Sequence, residues 1–259
     1  MVSPQARHAG CLAALFLLAV ELRTGRAEPP PNVPRPAPAA MAPAEPSECM
    51  LRLKASAIFA PLPAITGPGE CGGDDLVRLD AVLMPDRSRV TLSPPATLRC
   101  AMAEAVAQFV RSEVGPAAAE LGAPLLSVTT ADAYSCRNRN REQAGKLSEH
   151  ARANAIDIGA VTLVNRTTYE LTSAAVPESF RARMREAACR FFTTVLGPGS
   201  DAYHNEHIHL DRAERNRGYR LCQWDVHAPT VAAAQVPLPP PKPAALRDAQ
   251  RAAESARRR

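Results

Sequence analysis

The sequence predicts an α+β domain: a small, mostly antiparallel sheet with flanking helices, stabilised by disulfides. Three observations predict it. Strand-like and helix-like stretches alternate without a regular β-α repeat. Residues 48–227, near 180 in number, are enough for one ordinary core. Six cysteines fall inside that stretch, and no CxxC pair is among them.

The boundaries of the domain come from composition. Residues 1–27 read as a signal peptide, with Arg7 and His8 ahead of the ten-residue apolar run CLAALFLLAV at 11–20. That run is too short to span a bilayer. Residues 28–47 form a Pro/Ala-rich linker, and residues 228–259 a second Pro/Ala segment ending in a basic run. Proline fixes φ and removes a donor, so both are expected to be extended and solvated. Export to the periplasm or cell envelope follows, with no membrane span after signal removal. The formal net charge is +5, partly from the terminal arginines. With one Trp and no nucleic-acid module in view, a nucleic-acid partner is excluded.

Within the domain, 76–84 (LVRLDAVLM) and 88–93 (SRVTLS) read as short strands, with Pro94 and Pro95 breaking the second. Leu98, Met102, Val106 and Phe109 recur at helical spacing and predict a helix over 97–112. A strand is expected over 125–134, then a polar surface loop over 135–149. AIDIGAVTLV at 155–164 is a buried-strand pattern. A helix from Pro177 to residue 194 ends before Gly197-Pro198-Gly199, and HIHLD at 207–211 is a last strand.

Without the signal peptide the cysteines are Cys49, Cys71, Cys100, Cys136, Cys189 and Cys222. An even number in an exported chain predicts three disulfides. Sequence order suggests 49 with 71, 100 with 136, and 189 with 222.

The chemistry concentrates in a few residues. Three of the six histidines, His204, His207 and His209, lie within six positions, and His150 precedes the strand that carries Asp157. A lone histidine is usually structural, but this grouping points to a metal. Alternation puts His207 and His209 on one strand face, away from Ile208 and Leu210, and puts Asp157 opposite Ile156 and Ile158. An ionised aspartate in an apolar strand needs neutralising, which a divalent cation does. Two imidazoles and a carboxylate form a common catalytic zinc set. Nickel, cobalt and manganese stay open. His150 is offset by seven positions, so it must curl back from a loop. Glu206 or His207 could serve as a general base. Asp211, in phase with His209, either orients it or forms a surface salt bridge.

These residues resemble a known pattern. Ser148-x-His150-x-x-Ala153-x-Ala155-x-Asp157 followed by His207-x-His209 is similar to the zinc peptidases related to D-Ala-D-Ala carboxypeptidases, murein endopeptidases and the hedgehog amino-terminal domain. More closely, the chain resembles the bacterial extensin-like C-terminal domain family, through TLRCAM at 97–102, YSCRNR at 134–139, SEHA at 148–151, NAIDI at 154–158, GPG at 197–199 and HIHLD at 207–211. The resemblance implies a hedgehog/peptidase-like fold and His150, Asp157 and His209 as ligands of one zinc per chain. It implies Glu206 or His207 as base, and Arg137 beside the substrate to stabilise negative charge, with Arg139 as a further candidate. One departure stands out: Ala153 replaces the usual glycine. If that position needs φ > 0, the alanine costs roughly 1 kcal/mol.

Two functions follow as expectations. One is a zinc metallopeptidase, carboxypeptidase or endopeptidase, acting on peptidoglycan peptides. The other is a non-catalytic, metal-stabilised module that binds the cell wall or a partner. A disulfide-framed domain with no metal is a third.

Overall fold

A computed structural model describes residues 45–227. The expected signal peptide, the linker up to residue 44 and the tail from 228 lie outside the described residues. Helix α1 (Glu48–Leu53) opens on Ser47, whose side chain accepts from the Met50 N–H. Strands β1 (Ala57–Leu62), β2 (Ile65–Thr66), β3 (Gly72–Gly73), β4 (Leu76–Leu83) and β5 (Arg89–Arg99) follow. Gly72 sits at φ +109°, and a Cβ there would lie 1.9 Å from the Ile65 carbonyl oxygen, so the small β2–β3 ladder requires glycine.

Strand β5 does not stop at Pro94-Pro95, as expected from sequence, but runs on to Arg99. Thr91 pairs with Ala81 and Ala96 with Leu79, so residues 92–95 bulge against Asp80 alone. Prolines are tolerated there because no ladder donor is needed. The expected helix over 97–112 accordingly begins later, as α2 (Cys100–Phe109). It continues through a π turn, Val110–Val114, into α3 (Gly115–Glu120). Pro116 lacks the N–H that a regular turn would use, and the wider turn absorbs the mismatch.

Then come β6 (Leu125–Asp132), β7 (Ala155–Leu163), β8 (Thr168–Glu170), α4 (Glu178–Phe191), β9 (Thr194–Leu196), β10 (Ile208–Asp211) and β11 (Leu221–Gln223). Nine strands make one sheet in the order β1-β4-β5-β6-β7-β10-β9-β11, with β8 also on β7. The fold is α+β and most pairings of the sheet are antiparallel, as expected, but the sheet is larger than the small one expected and is mixed, because β5–β6 and β9–β11 are parallel. The β5–β6 pair is parallel because α2 and α3 form the crossover between them.

One sheet face is apolar. Ile156, Ile158, Ile208 and Leu210 join Val106, Phe109, Met184 and Phe192 in a single core. Fully burying such a side chain contributes roughly 1.5–3 kcal/mol. The opposite face of the same strands is therefore free to carry polar groups.

Three disulfides form, but two of the three expected pairings are corrected. Cys49 bonds Cys100, and Cys71 bonds Cys136, whereas Cys189–Cys222 is as sequence order suggested. The correction arises because α1 packs on α2 across the intervening β4–β5 hairpin, which sets Cys49 beside Cys100. The β2–β3 ladder then reaches the segment after β6. The bridges span 51, 65 and 33 residues, which corresponds to about 4 kcal/mol each in the chain-entropy account. Such bridges fit a secreted or envelope protein. Among the described residues no helix is long and apolar enough to cross a membrane.

Candidate metal centre

Register builds the site. His209 on β10 is the direct cross-strand partner of Asp157 on β7, and Asp157 on its other side is the partner of Asp132 on β6. Two positions further along β10, Asp211 is the cross-strand partner of Thr194 on β9 and accepts from its hydroxyl. Alternation then turns all of these to the face opposite the core. His150 reaches them from a 3-10 turn, Glu149–Arg152, capped by the Ser148 side chain. The turn ends on Ala153 in the left-handed region, at φ 53° and ψ 29°. This is the position where the resembled pattern has glycine, so the suspected positive φ is present and alanine pays its strain. Arg99 holds this turn from below: its backbone N–H donates to the Ala153 carbonyl at 2.7 Å and its Nε to the Arg152 carbonyl at 2.8 Å.

Three donor atoms converge. His150 Nε2 lies 3.1 Å from Asp157 Oδ1 and 3.0 Å from His209 Nδ1, and His209 Nδ1 lies 2.9 Å from Asp157 Oδ1. All three residues are buried. The outer nitrogens set the inner ones. His150 Nδ1 is 2.6 Å from the Ala133 carbonyl, which can only accept, so that nitrogen carries the proton. His209 Nε2 donates to Asp211 Oδ2 at 3.1 Å. Both imidazoles thus turn an acceptor toward a carboxylate oxygen. Three acceptors this close repel unless a cation, or a proton on one ring, sits among them. Donors of a tetrahedral ion with bonds near 2 Å stand roughly 3.3 Å apart, close to the spacing found. The residues fit a small divalent cation. A second acidic and sulfur grouping, Cys49, Asp75 and Cys100, is no ligand set because the two sulfurs are bonded to each other.

A cavity of about 290 Å³ opens over this triad. His207 lines it, with Nε2 3.3 Å from the second oxygen of Asp157. Arg137 lines it too and donates to Asp132 Oδ2 at 2.9 Å. Glu206 is exposed and is not among the cavity-lining residues, so of the two expected bases only His207 is brought to the site. Asp211 is buried, accepts from the Ala213 N–H at 2.9 Å and from the Thr194 hydroxyl, and so orients His209 rather than forming a surface bridge.

A family model described as extensin-like protein C-terminus matches residues 47–223. The chain belongs to that family. No curated protein and no solved structure matches it.

The extensin-like domain holds its site groups in shifted protonation states. Burial pushes the Asp157 carboxyl up, but the hydrogen bonds from His150 and His209, with their charges, hold it well below the usual carboxylate range. Burial pulls His209 down, yet its bonds to Asp157 and Asp211 outweigh this and raise it to about 9. Burial also lowers His207, only partly offset by Asp157, so this ring is neutral at pH 7. Sequence reasoning assigned no role to His204 and Asp201. His204 is buried, its Nδ1 lies 2.6 Å from Asp201 Oδ1, and its ring stands 5.4 Å from that of His207 and 5.6 Å from that of His209. The three-residue interval between His204 and His207 was the available signal. Asp132, Thr194 and Arg215 gave none, because they reach the cavity from strands and loops distant in sequence.

Proposed function

We propose that the domain is a zinc-dependent peptidase acting on peptidoglycan peptides in the cell envelope. The observation that supports it most is the convergence of His150 Nε2, His209 Nδ1 and Asp157 Oδ1, with both rings turned inward by an outer partner, at the floor of an open cavity. The resemblance to zinc peptidases adds the same three residues by motif. Zinc held there supplies Lewis-acid polarisation of a peptide carbonyl and acidifies water. Asp157 and the two histidines hold the ion. Asp211 and the Ala133 carbonyl fix the two rings. His207, neutral and facing the cavity, takes and returns a proton at Nε2. Arg137, anchored on Asp132, faces negative charge on the substrate. The disulfides support a periplasmic or envelope location.

The experiment is elemental mass spectrometry on the oxidised protein, with peptidoglycan digests assayed alongside. The expected result is one zinc per chain, lost in His209→Ala and in Asp157→Ala, and release of peptide products that His207→Ala lowers by at least a hundredfold with zinc retained. Zinc without turnover on any wall peptide would leave the metal-stabilised binding module in its place. A folded protein that takes up no zinc would remove both.

A further inference from the structure

The three donors of the floor are not held alike. Asp157 and His209 stand on β7 and β10, strands whose other face is packed in the core. His150 stands on a short 3-10 turn, so it is the donor easiest to displace. Its ring meets the Ala133 carbonyl, and its own carbonyl accepts from the Ser135 N–H at 3.2 Å. The turn closes on Ala153 in the left-handed region, a conformation that an alanine leaves unless neighbouring bonds hold it.

Arg99 supplies those bonds from outside the cavity, which no residue of 97–102 lines. It ends β5, and the next residue, Cys100, is bonded to Cys49, so the backbone at this point is fixed on both sides. Its N–H and its Nε engage the carbonyls of Ala153 and Arg152, which finish the turn. Its Nη1 lies 3.6 Å from the Asp74 carboxylate. The guanidinium passes directly beside Gly73 of β3. A Cβ on Gly73 would lie 2.9 Å from Arg99 Nη2 and 3.0 Å from Nε, so a side chain there has to push the guanidinium away. Gly72 is required by its φ, but the φ of Gly73 lies outside the left-handed region. What requires glycine at 73 is the room for Arg99. The β2–β3 connection also ties the turn directly, through the ion pair of Glu70 with Arg152.

We propose that Arg99 is a positioning residue for the metal: it fixes His150 by clamping the end of its turn, and Gly73 leaves the space in which the guanidinium does so. The main-chain bond to Ala153 survives any substitution, so the side chain adds the bond from Nε. The Arg99 side chain is 40% exposed and supports a turn rather than the core, so its loss falls on metal affinity before it falls on the fold. The inference rests on the zinc reading of the floor for this consequence, but not for the placing of His150.

The test is zinc affinity of the full chain by chelator competition, beside the denaturation midpoint of the metal-free protein. Arg99→Met keeps an unbranched stem and removes every donor. Gly73→Ala keeps the arginine and displaces its guanidinium. Each is expected to lower zinc affinity about tenfold. The double variant should lose no more than either single one, because both changes break the same bond. Arg99→Gln, whose amide puts a donor where Nε stood, should recover most of the affinity. Unchanged affinity in the folded single variants, a lower midpoint alone, or losses that add in the double variant would overturn the inference. The proton on His150 Nδ1 gives a readout that needs no metal. Its NMR resonance in metal-free protein is expected to broaden in both Arg99→Met and Gly73→Ala. If the wild type takes up no zinc, the peptidase reading falls and this resonance decides: broadening upholds the positioning role, and an unchanged line removes it. Equal zinc affinity in wild type and variants would keep the metal centre and remove the role of Arg99.

Discussion

The floor and the rim of the cavity are held by different means. The floor is sheet: Asp157 and His209 are cross-strand partners on β7 and β10, and each has a core residue on either side along its strand. Moving one of these side chains means moving a strand whose other face is packed. The rim is loop. Residues 136–147 are mostly exposed, carry two non-glycine residues at positive φ, and depend on one disulfide, one isolated bridge and a few side-chain bonds. A rigid floor suits a metal, which tolerates little displacement of its ligands. A strapped but exposed rim suits recognition, because its residues can change without disturbing the sheet.

If the two are independent, cutting the tether of the rim should spare the floor. Replacing Cys71 and Cys136 by Ala is expected to cost about 4 kcal/mol of stability by chemical denaturation, yet leave zinc stoichiometry near one. Loss of zinc in a folded double variant would show that floor and rim are one unit.

The protons of the floor give the next effect. In metal-free protein His209 is raised to about 9 from an unfolded value near 6.5. Its protonated ring donates to Asp157 and Asp211, so the stabilisation is complete below pH 6.5 and is lost as pH rises through about 9. Denaturation of the metal-free protein should lose on the order of 3 kcal/mol across that window. Zinc competes for the same nitrogen, so its affinity should rise over the same window, with proton release on binding visible in buffers of different ionisation heat. A flat stability profile would refute the protonated floor.

Asp211→Asn keeps the shape of the His209 support and removes its charge. Zinc affinity, measured by chelator competition, is expected to fall about 10- to 100-fold without loss of the fold. An unchanged affinity would place the control of His209 elsewhere. The smallest effect belongs to the turn that carries His150. Ala153→Gly relieves the left-handed strain behind His150 and should raise stability by about 1 kcal/mol, read as a higher denaturation midpoint. A decrease would mean that the buried methyl group packs more favourably than the strain costs.

Long patterned segments were legible in the sequence. The strand carrying Asp157, the strand carrying His209, the β4 strand and the helix before Gly197 lie within a few residues of their expected places, although β11 follows the strand expected to be the last. Alternation alone placed Asp157 and His209 opposite the apolar core. Strands β1, β8, β9 and β11 were not foreseen, nor was α1. β8, β9 and β11 have three residues each, too few for a period to establish itself, and they exist because a neighbouring strand offers unpaired donors and acceptors. Pro94-Pro95 read as a stop because a local rule knows nothing of the bulge that accommodates them.

By itself the sequence determined the α+β class, the placing of Asp157 and His209 on the face away from the apolar core, and the need for disulfides, since each follows from local periodicity or composition. Tertiary structure decided which cysteines pair, that His207 and not Glu206 faces the cavity, that Asp211 is buried behind His209, and that three distant acceptors meet within about 3 Å. The reason is physical. Pairing, burial and ligand convergence depend on distances between residues far apart in the chain, and only strand register and helix packing fix those distances.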